Sequence, residues 1–238
     1  MIGKAIAHES GATFFSISSS SLTSKWEGEG EKLVRTLFAV AQYRAPSVIF
    51  IDEVDSMLTH RSSEENESSR KMKTEFFTRM DGVRNEREGN VLFIGTTNIP
   101  QELDEAARRR FVKRLYVPLP CQAARKTLIG SLLEKEDVRH IMTDEDIRQI
   151  AQQTEGYSGA DLKALCRDAA MGPIREVGEE RIWNVDVKDV PPISSEHFRK
   201  SLCEVKPSVA KADLKVFEKW DKAYGYGSKP SALHSVQG

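Results

Sequence analysis

Cysteine is scarce in this chain: Cys121, Cys166 and Cys203 lie far apart and form no C-x-x-C pair. That argues against a disulfide framework and against a thiolate zinc site, and it suits a reducing compartment such as the cytoplasm or nucleus. The five histidines, His8, His60, His140, His197 and His234, likewise form no pair at metal-ligand spacing. No apolar run reaches the roughly 18 residues of a membrane helix, and no signal-peptide core precedes the first charged residues, so membrane insertion and secretion are not expected. A surplus of either charge is absent too. Lys plus Arg at 35 against Asp plus Glu at 36 leave a formal net charge of -1, without the basic excess of a general nucleic-acid or anionic-membrane binder. Also missing is the G-x-x-x-x-G-K-[ST] phosphate loop: Gly3-Lys4 is followed by Ala5, and Gly28-Glu29-Gly30-Glu31-Lys32 has the wrong spacing.

Apolar residues are plentiful enough for a packed core, at 39% of 238 residues, and the length suits one full domain with a smaller one. Ile2, Ala5, Ile6 and Ala7 recur at helical spacing with no N-cap residue before them, so the chain is expected to begin inside a helix. Strands are expected at 12–17, 48–51, 91–95 and 114–118, and helices at 31–42 and 69–80, the second ending near Gly82. Such alternation predicts a mostly parallel, three-layer α/β sheet. Beyond Pro120 only helices are expected, at 122–134, 144–153, 158–171, 196–205 and 211–224. Thr143 with Asp146, and Ser158 with Asp161, have capping-box spacing. The expected division is an α/β domain over 1–120, a helical domain over 121–205, a closing helical segment over 206–226 and a disordered tail over 227–238.

The most informative stretch is Val48-Ile49-Phe50-Ile51-Asp52-Glu53, where an apolar strand delivers two adjacent carboxylates at its end. This is a Walker B pattern: in a nucleotide triphosphatase Asp52 would lie on the Mg²⁺ side of the triphosphate and Glu53 would polarise the attacking water. Alone, the pair also fits a helix N-cap. Val91 to Gly95 leads into Thr96-Thr97-Asn98, at the carboxyl end of a strand where α/β sheets bind ligands, although Asn98 before Ile99-Pro100 is equally a turn signal. Arg108-Arg109-Arg110 with Lys113 and Arg114 concentrates positive charge. It reads either as a solvated face or, beside a phosphoryl-transfer site, as a source of guanidinium for the transferred group. No aromatic residues interleave it, so direct nucleic-acid binding is not expected. Lys25-Trp26-Glu27-Gly28 sets a tryptophan among polar neighbours, leaving core and contact roles open, and Glu64 to Arg70 reads as a polar loop with substrate contact as its second option.

Lys25 to Lys32, the Walker B strand, Thr97-Asn98-Ile99-Pro100 and Asp104 to Phe111 together resemble, in order and spacing, the AAA ATPases. Ser158-Gly159-Ala160-Asp161-Leu162 and the closing segment Lys206 to Gly225 are similar to the meiotic clade that holds katanin, spastin, fidgetin and Vps4, and 16–31 and 108–120 most resemble its fidgetin-like members. The resemblance implies a RecA-like α/β core with a helical lid, and ATP and Mg²⁺ as cofactors. Asp52 would support Mg²⁺, Glu53 would be the catalytic glutamate and Asn98 the sensor, while Gly159 and Ala160 would approach the adenine from the lid. Arg109 and Arg110 would be fingers inserted into a neighbour's ATP site within a homo-hexameric ring. Lys25, Trp26, Glu27 and Gly28 would belong to a first pore loop gripping a threaded polypeptide, where the family has an apolar residue in place of Glu27, and Glu67 and Arg70 to a second. Tubulin tails, as in microtubule severing, and a recombination factor are the substrate classes the resemblance offers.

In that family the phosphate loop ends just before the position of Met1, so the chain is expected to be truncated, without the first strand and its loop. The absent strand would leave both the Walker B strand and the strand at 114–118 with an unpaired side, giving a poorly stable chain that binds ATP weakly or not at all. The rival expectation is a non-catalytic fragment that binds and regulates intact rings.

Overall fold

Three short runs rich in β-branched and aromatic residues build the sheet of the first of two units. The computed structural model describes residues 2–22, 29–59, 67–85, 90–135, 139–178 and 185–227. Its units are Met1–Leu115 with Trp220–Gly238, and Tyr116–Lys219. In the first, α1 (Ile2–Glu9) leads into β1 (Thr13–Ser18), and one turn, α2 (Ser19–Leu22), precedes α3 (Glu29–Tyr43). Then come β2 (Ser47–Asp52), α4 (Asp55–Leu58), α5 (Glu67–Asn85), β3 (Val91–Gly95) and, after a 3-10 turn at Pro100–Glu102, α6 (Glu105–Arg110).

The strands run parallel in the order β1-β2-β3, with Phe15 opposite Ile49 and Ile49 opposite Phe93. Because side chains alternate along a strand, these three and Ile17 and Ile51 share one face, against Val34, Leu37 and Phe38 of α3 and Met72, Phe76 and Phe77 of α5. Phe38, Phe76 and Phe93 meet there with ring centroids 5.2 to 6.3 Å apart. Phe14 and Phe50 take the opposite face, where α1 packs. A Cβ on Gly3 would fall 2.7 Å from the Phe50 ring, so glycine is what lets α1 approach this closely. Helix, sheet and helices thus form the three layers expected of a RecA-like core.

The pairing corrects one expectation. β2 is bonded on both sides, so the strand carrying Asp52 has no open edge; among the described residues the open edges belong to β1 and β3. Burial follows, since Ile49 and Ile51 of β2 are inaccessible whereas Leu92 of β3 is 47% exposed. A second correction concerns 114–118, which forms no strand. Leu115 and Val117 are exposed there, and the Arg114 backbone is committed elsewhere, its carbonyl accepting from Tyr226 N–H at 2.7 Å. With no ladder beside it and with Pro118 and Pro120 unable to donate, the segment has nothing to pair with. α5 also continues through Gly82 to Asn85, because one helical glycine costs only about 1 kcal/mol, less than packing on α3 and the sheet supplies.

The second unit contains α7 (Gln122–Lys135), α8 (Asp144–Gln153), α9 (Gly159–Ala170), α10 (Gly172–Val177) and α11 (Ser195–Glu204); α12 (Lys211–Tyr224) runs across the boundary between the units. Ile129, Leu133, Ile150, Leu162, Leu165 and Phe198 fill its core. Both expected capping boxes form. Asp146 N–H donates to Thr143 Oγ1 at 3.1 Å while Thr143 N–H donates to Asp146 Oδ2 at 2.8 Å, and Ser158 and Asp161 repeat the exchange at 3.2 and 2.8 Å. Asp161 Oδ2 also accepts from Ser208 N–H at 3.2 Å, and the Tyr157 hydroxyl donates to the Val205 carbonyl at 2.5 Å, fastening 205–208 to the start of α9. No helix among the described residues is long and apolar enough to cross a membrane. The tail beyond Gly227 lies outside the described residues.

Candidate active site

The site is built where β2 ends. Asp52, its last residue, is exposed at the carboxyl end of the sheet, and Glu53 turns the chain with φ 53°, in the left-handed region that side chains other than glycine enter at a cost of about 1–2 kcal/mol. Strain of this kind collects at functional sites because surrounding structure holds it. Here the holding bonds come from the end of β3: Thr96 N–H donates to the Ile51 carbonyl at 3.0 Å and Val54 N–H to the Thr96 carbonyl at 2.9 Å, clamping the backbone on both sides of Asp52 and Glu53. The Thr96 hydroxyl donates to Asp52 Oδ1, and the Thr97 hydroxyl donates to Asp55 Oδ1 at 2.5 Å while accepting Ile99 N–H at 2.9 Å. Gly95 permits this approach, since a Cβ there would meet Val54 at 2.8 Å. Asn98 follows, exposed, and its amide makes no hydrogen bond to another described residue.

Two adjacent arginines on α6 have opposite surroundings. Asp104 caps the helix, accepting Ala107 N–H at 2.6 Å. Arg109 stands 76% exposed and, among the described residues, pairs only with the exposed Glu105 one turn away, an arrangement worth at most about 1 kcal/mol and often nothing. Arg110 instead forks onto Asp81 of α5, with Nε to Oδ1 and Oδ2 at 3.0 and 2.9 Å and Nη2 to Oδ2 at 2.7 Å, while its guanidinium carbon sits 4.5 Å from the centroid of the buried Phe77 ring. Solvent screens this pair, since the Asp81 side chain is 42% exposed, but the forked geometry and the cation–π contact hold Arg110 more firmly than its neighbour. Arg108 lies over the Tyr224 ring at 5.4 Å and donates to the Leu103 carbonyl at 2.7 Å.

The remaining candidates lie elsewhere. Lys25, Trp26, Glu27 and Gly28 fall outside the described residues. Glu67 and Arg70 are exposed on the first turn of α5, and the Lys71 ammonium at 2.6 Å holds the Glu67 carboxyl below the usual carboxylate range. Gly159 and Ala160 are exposed on the first turn of α9, in the second unit. Asp52 and Glu53 offer adjacent carboxylate oxygens, hard donors of the kind Mg²⁺ takes one or two at a time while keeping water and phosphate oxygens. No group of three or more His, Cys, Asp or Glu side chains that could hold a metal occurs among the described residues, so the donor set fits a Mg²⁺ delivered with nucleotide phosphates rather than an all-protein cage. Thr96, Thr97 and Asp81 escaped the sequence reading as functional partners. Their bonds join residues 44, 42 and 29 positions apart, and the one local hint was the polar Thr96-Thr97 pair closing an apolar strand.

A sheet ending in these carboxylates beside a polar strand end, with a separate helical unit, defines the class. The profile of the ATPase family associated with various cellular activities (AAA) matches residues 1–119, that of the AAA+ lid domain matches 144–188 and that of the Vps4 C terminal oligomerisation domain matches 184–225. The chain belongs to the AAA ATPase family, within the katanin, spastin and fidgetin group. Fidgetin-like protein 1 of Rattus norvegicus is 52% identical over 227 residues, 95% of this chain and 33% of the relative. Spastin of Naegleria gruberi is 51% identical over 231 residues, 96% of this chain and 44% of the relative. The crystal structure of the FIGL-1 AAA domain in complex with ADP superposes with a TM-score of 0.85 at 48% identity, covering 94% of this chain and 74% of that one. A structure described for katanin self-assembly gives 0.74 at 38%, covering 92% and 72%. The chain spans about a third of the length of its fidgetin-like relatives.

Proposed function

We propose that this chain carries the ATP-hydrolysing engine of a fidgetin- or spastin-type AAA protein, with the ATPase core over 1–120, the lid over 121–205 and the closing helix over 206–226. The observation that carries the reading is Asp52 and Glu53 presented at the end of β2, clamped by the Thr96 backbone beside Asn98. In this reading Asp52 orients toward a nucleotide-borne Mg²⁺, which when bound offsets phosphate charge. Glu53 accepts a proton from the attacking water, and Asn98 fixes that water's position. Gly159 and Ala160 border the adenine, and the arginine segment of α6 serves the ATP site of a neighbouring copy in a homo-hexameric ring. Lys25, Trp26, Glu27 and Gly28, together with Glu67 and Arg70, contact a polypeptide threaded through the pore. Microtubule severing through tubulin tails and remodelling of a recombination factor are the two substrate readings, with the cytoplasm or nucleus as the compartment; similarity to spastin and to a katanin structure supports the first.

The 238 residues taken by themselves contain no G-x-x-x-x-G-K-[ST] loop, and this favours a second reading for the isolated chain: weak nucleotide binding, with regulation of intact rings as its activity. ATP turnover by the protein expressed from its complete coding sequence, with and without Glu53→Gln, tests the first reading. A loss of about 10²–10⁴-fold is expected for removal of a general base. An unchanged rate would remove Glu53 from the mechanism, and inhibition of intact rings by added isolated chain would support the second reading for that chain.

A further inference from the structure

We propose that His197 is an acid-sensitive latch on α11: its unprotonated ring nitrogen holds the start of this helix, and a second proton on the ring releases it. The latch lies within residues 184–225, the part of the chain similar to the Vps4 C terminal oligomerisation domain. It goes beyond the ATPase reading and does not depend on nucleotide chemistry.

The geometry fixes which form of the ring makes the latch. His197 is the third residue of α11, where a capping box ordinarily carries Glu or Gln reaching back to the backbone N–H that precedes the helix. Here Nδ1 takes that part, accepting Ser194 N–H at 3.0 Å, with the Ser194 hydroxyl 3.2 Å away. A backbone N–H can only donate, so Nδ1 keeps its lone pair and the neutral ring carries its proton on Nε2. Carboxylate and amide caps keep their acceptor at neutral and mildly acid pH, whereas imidazoles ordinarily gain a proton between about pH 5 and 8. A proton on Nδ1 sets two N–H groups against each other. The Ser194 hydroxyl can turn to accept from it, but the Ser194 backbone N–H is left without its acceptor.

The surroundings direct that conflict into the start of the helix. His197 is 4% exposed, and a Cβ on Gly172, the first residue of α10, would fall 2.5 Å from its Cδ2, so the ring is wedged and has no room to swing aside. Phe198, wholly buried, holds the helix at the next residue. What can move is the stretch before it. A receiver for the charge stands on α10: Nε2 lies 3.0 Å from Glu176 Oε1 without making a well-directed hydrogen bond to it, and Lys200 of α11 shares that carboxylate at 3.7 Å. On α9, Asp168 is committed to Arg175 and to the Ser201 hydroxyl, each at 2.6 Å. His140 meets Ile193 through a backbone bridge just ahead of the helix.

Hydrogen exchange of the protein from its complete coding sequence, followed between about pH 7.5 and 5.5 and corrected for the intrinsic effect of pH, tests the latch. Protection over 194–199 should fall about threefold to tenfold, the worth of one hydrogen bond, while α9 keeps its protection. His197→Gln supplies an acceptor that does not titrate and should hold protection over 194–199 within about twofold across the range. Glu176→Gln, at a 43% exposed position, removes the receiver of the charge, and the fall should begin at lower pH. Constant protection in the unmodified protein would overturn the proposal. So would an equal fall in His197→Gln, which would give the effect to His140 or Glu176, and so would a fall shared by α9, which would mean general loosening in acid. A His197→Gln protein already less protected at the neutral end would show that ring packing holds α11 rather than the acceptor, and the latch would fall with it. An unshifted fall in Glu176→Gln would overturn the part given to Glu176. None of these readouts uses ATP turnover, so failure of the ATPase reading leaves the proposal standing.

Discussion

The two units differ in how their polar groups are secured, although the first also has the local cap of Asp104 and the second the long-range bonds of Ser208 to Asp161 and Tyr157 to Val205. In the second, helix starts are held by side chains three residues away: Thr143 with Asp146, and Ser158 with Asp161, each bonded reciprocally. In the first, the groups that matter are joined across the fold, Thr96 to Asp52, Thr97 to Asp55 and Arg110 to Asp81. Local caps relieve unsatisfied backbone and leave relaxed dihedrals. The long-range bonds of the first unit instead hold Glu53 in a conformation it would not choose. A unit that only has to pack can be satisfied locally, whereas one that presents charge to a ligand uses its core as an anvil for strain.

That contrast predicts where damage stays confined. Phe76 is wholly buried between Phe38 and Phe93, and Phe76→Ala should destabilise the first unit by about 4 kcal/mol through lost burial and the cavity left behind. Hydrogen exchange followed by mass spectrometry should show protection lost in β2 and α5 and kept in α9. Equal loss in α9 would mean that the units unfold together and that the comparison has no energetic content. A smaller effect of opposite sign is expected at the strained residue. Glu53→Gly should raise the stability of the first unit by about 1 kcal/mol, since glycine enters positive φ freely, while abolishing whatever the carboxylate does. A lower denaturation midpoint for this variant would show that the Glu53 backbone is not strained.

The same contrast explains what could be read from the sequence. The capped starts of α8 and α9 were legible because the signal lies within four residues, and the Walker B strand because burial on both faces writes a continuous apolar run. Asp81 was not legible. It is one acidic residue on a polar helix, and nothing local distinguishes it from Glu75, whose partners are the exposed Arg35 and Arg79. Helix α6 was passed over although Asp104 caps it, because three consecutive arginines looked like a charged surface rather than a helix end, where basic residues favour the dipole. Residues 114–118 have strand composition, but a strand exists only with a partner, and β propensity reports a suitable side-chain surface rather than a pairing. Pairing order was the deeper difficulty: an apolar run says that β2 is buried on both faces and does not say which strands flank it.

The smallest predicted effect separates a local cap from a long-range clamp by pH. Burial raises the cost of ionising Asp161, but hydrogen bonds from Ser158 and Ser208 outweigh it and lower its folded pKa below that of an unfolded aspartate, about 3.9. A depressed folded pKa gives stability that is fully present above the unfolded value and is lost as pH falls through the folded one. Asp161→Asn keeps the shape of the cap and removes its charge, so it should cost the second unit about 1 kcal/mol or less at pH 7, with the difference from the unmodified protein constant down to about pH 5. The advantage starts to fall as pH drops below the unfolded value and is gone once pH has passed through the lower folded one, where the unmodified carboxyl also protonates and the two should converge. Amide exchange at the first turn of α9, measured at several pH values, follows this directly. A gap that persisted undiminished at pH 3 would mean that Asp161 acts through shape and not through its charge, and the cap would then owe nothing to the ion that Ser158 and Ser208 are arranged to meet.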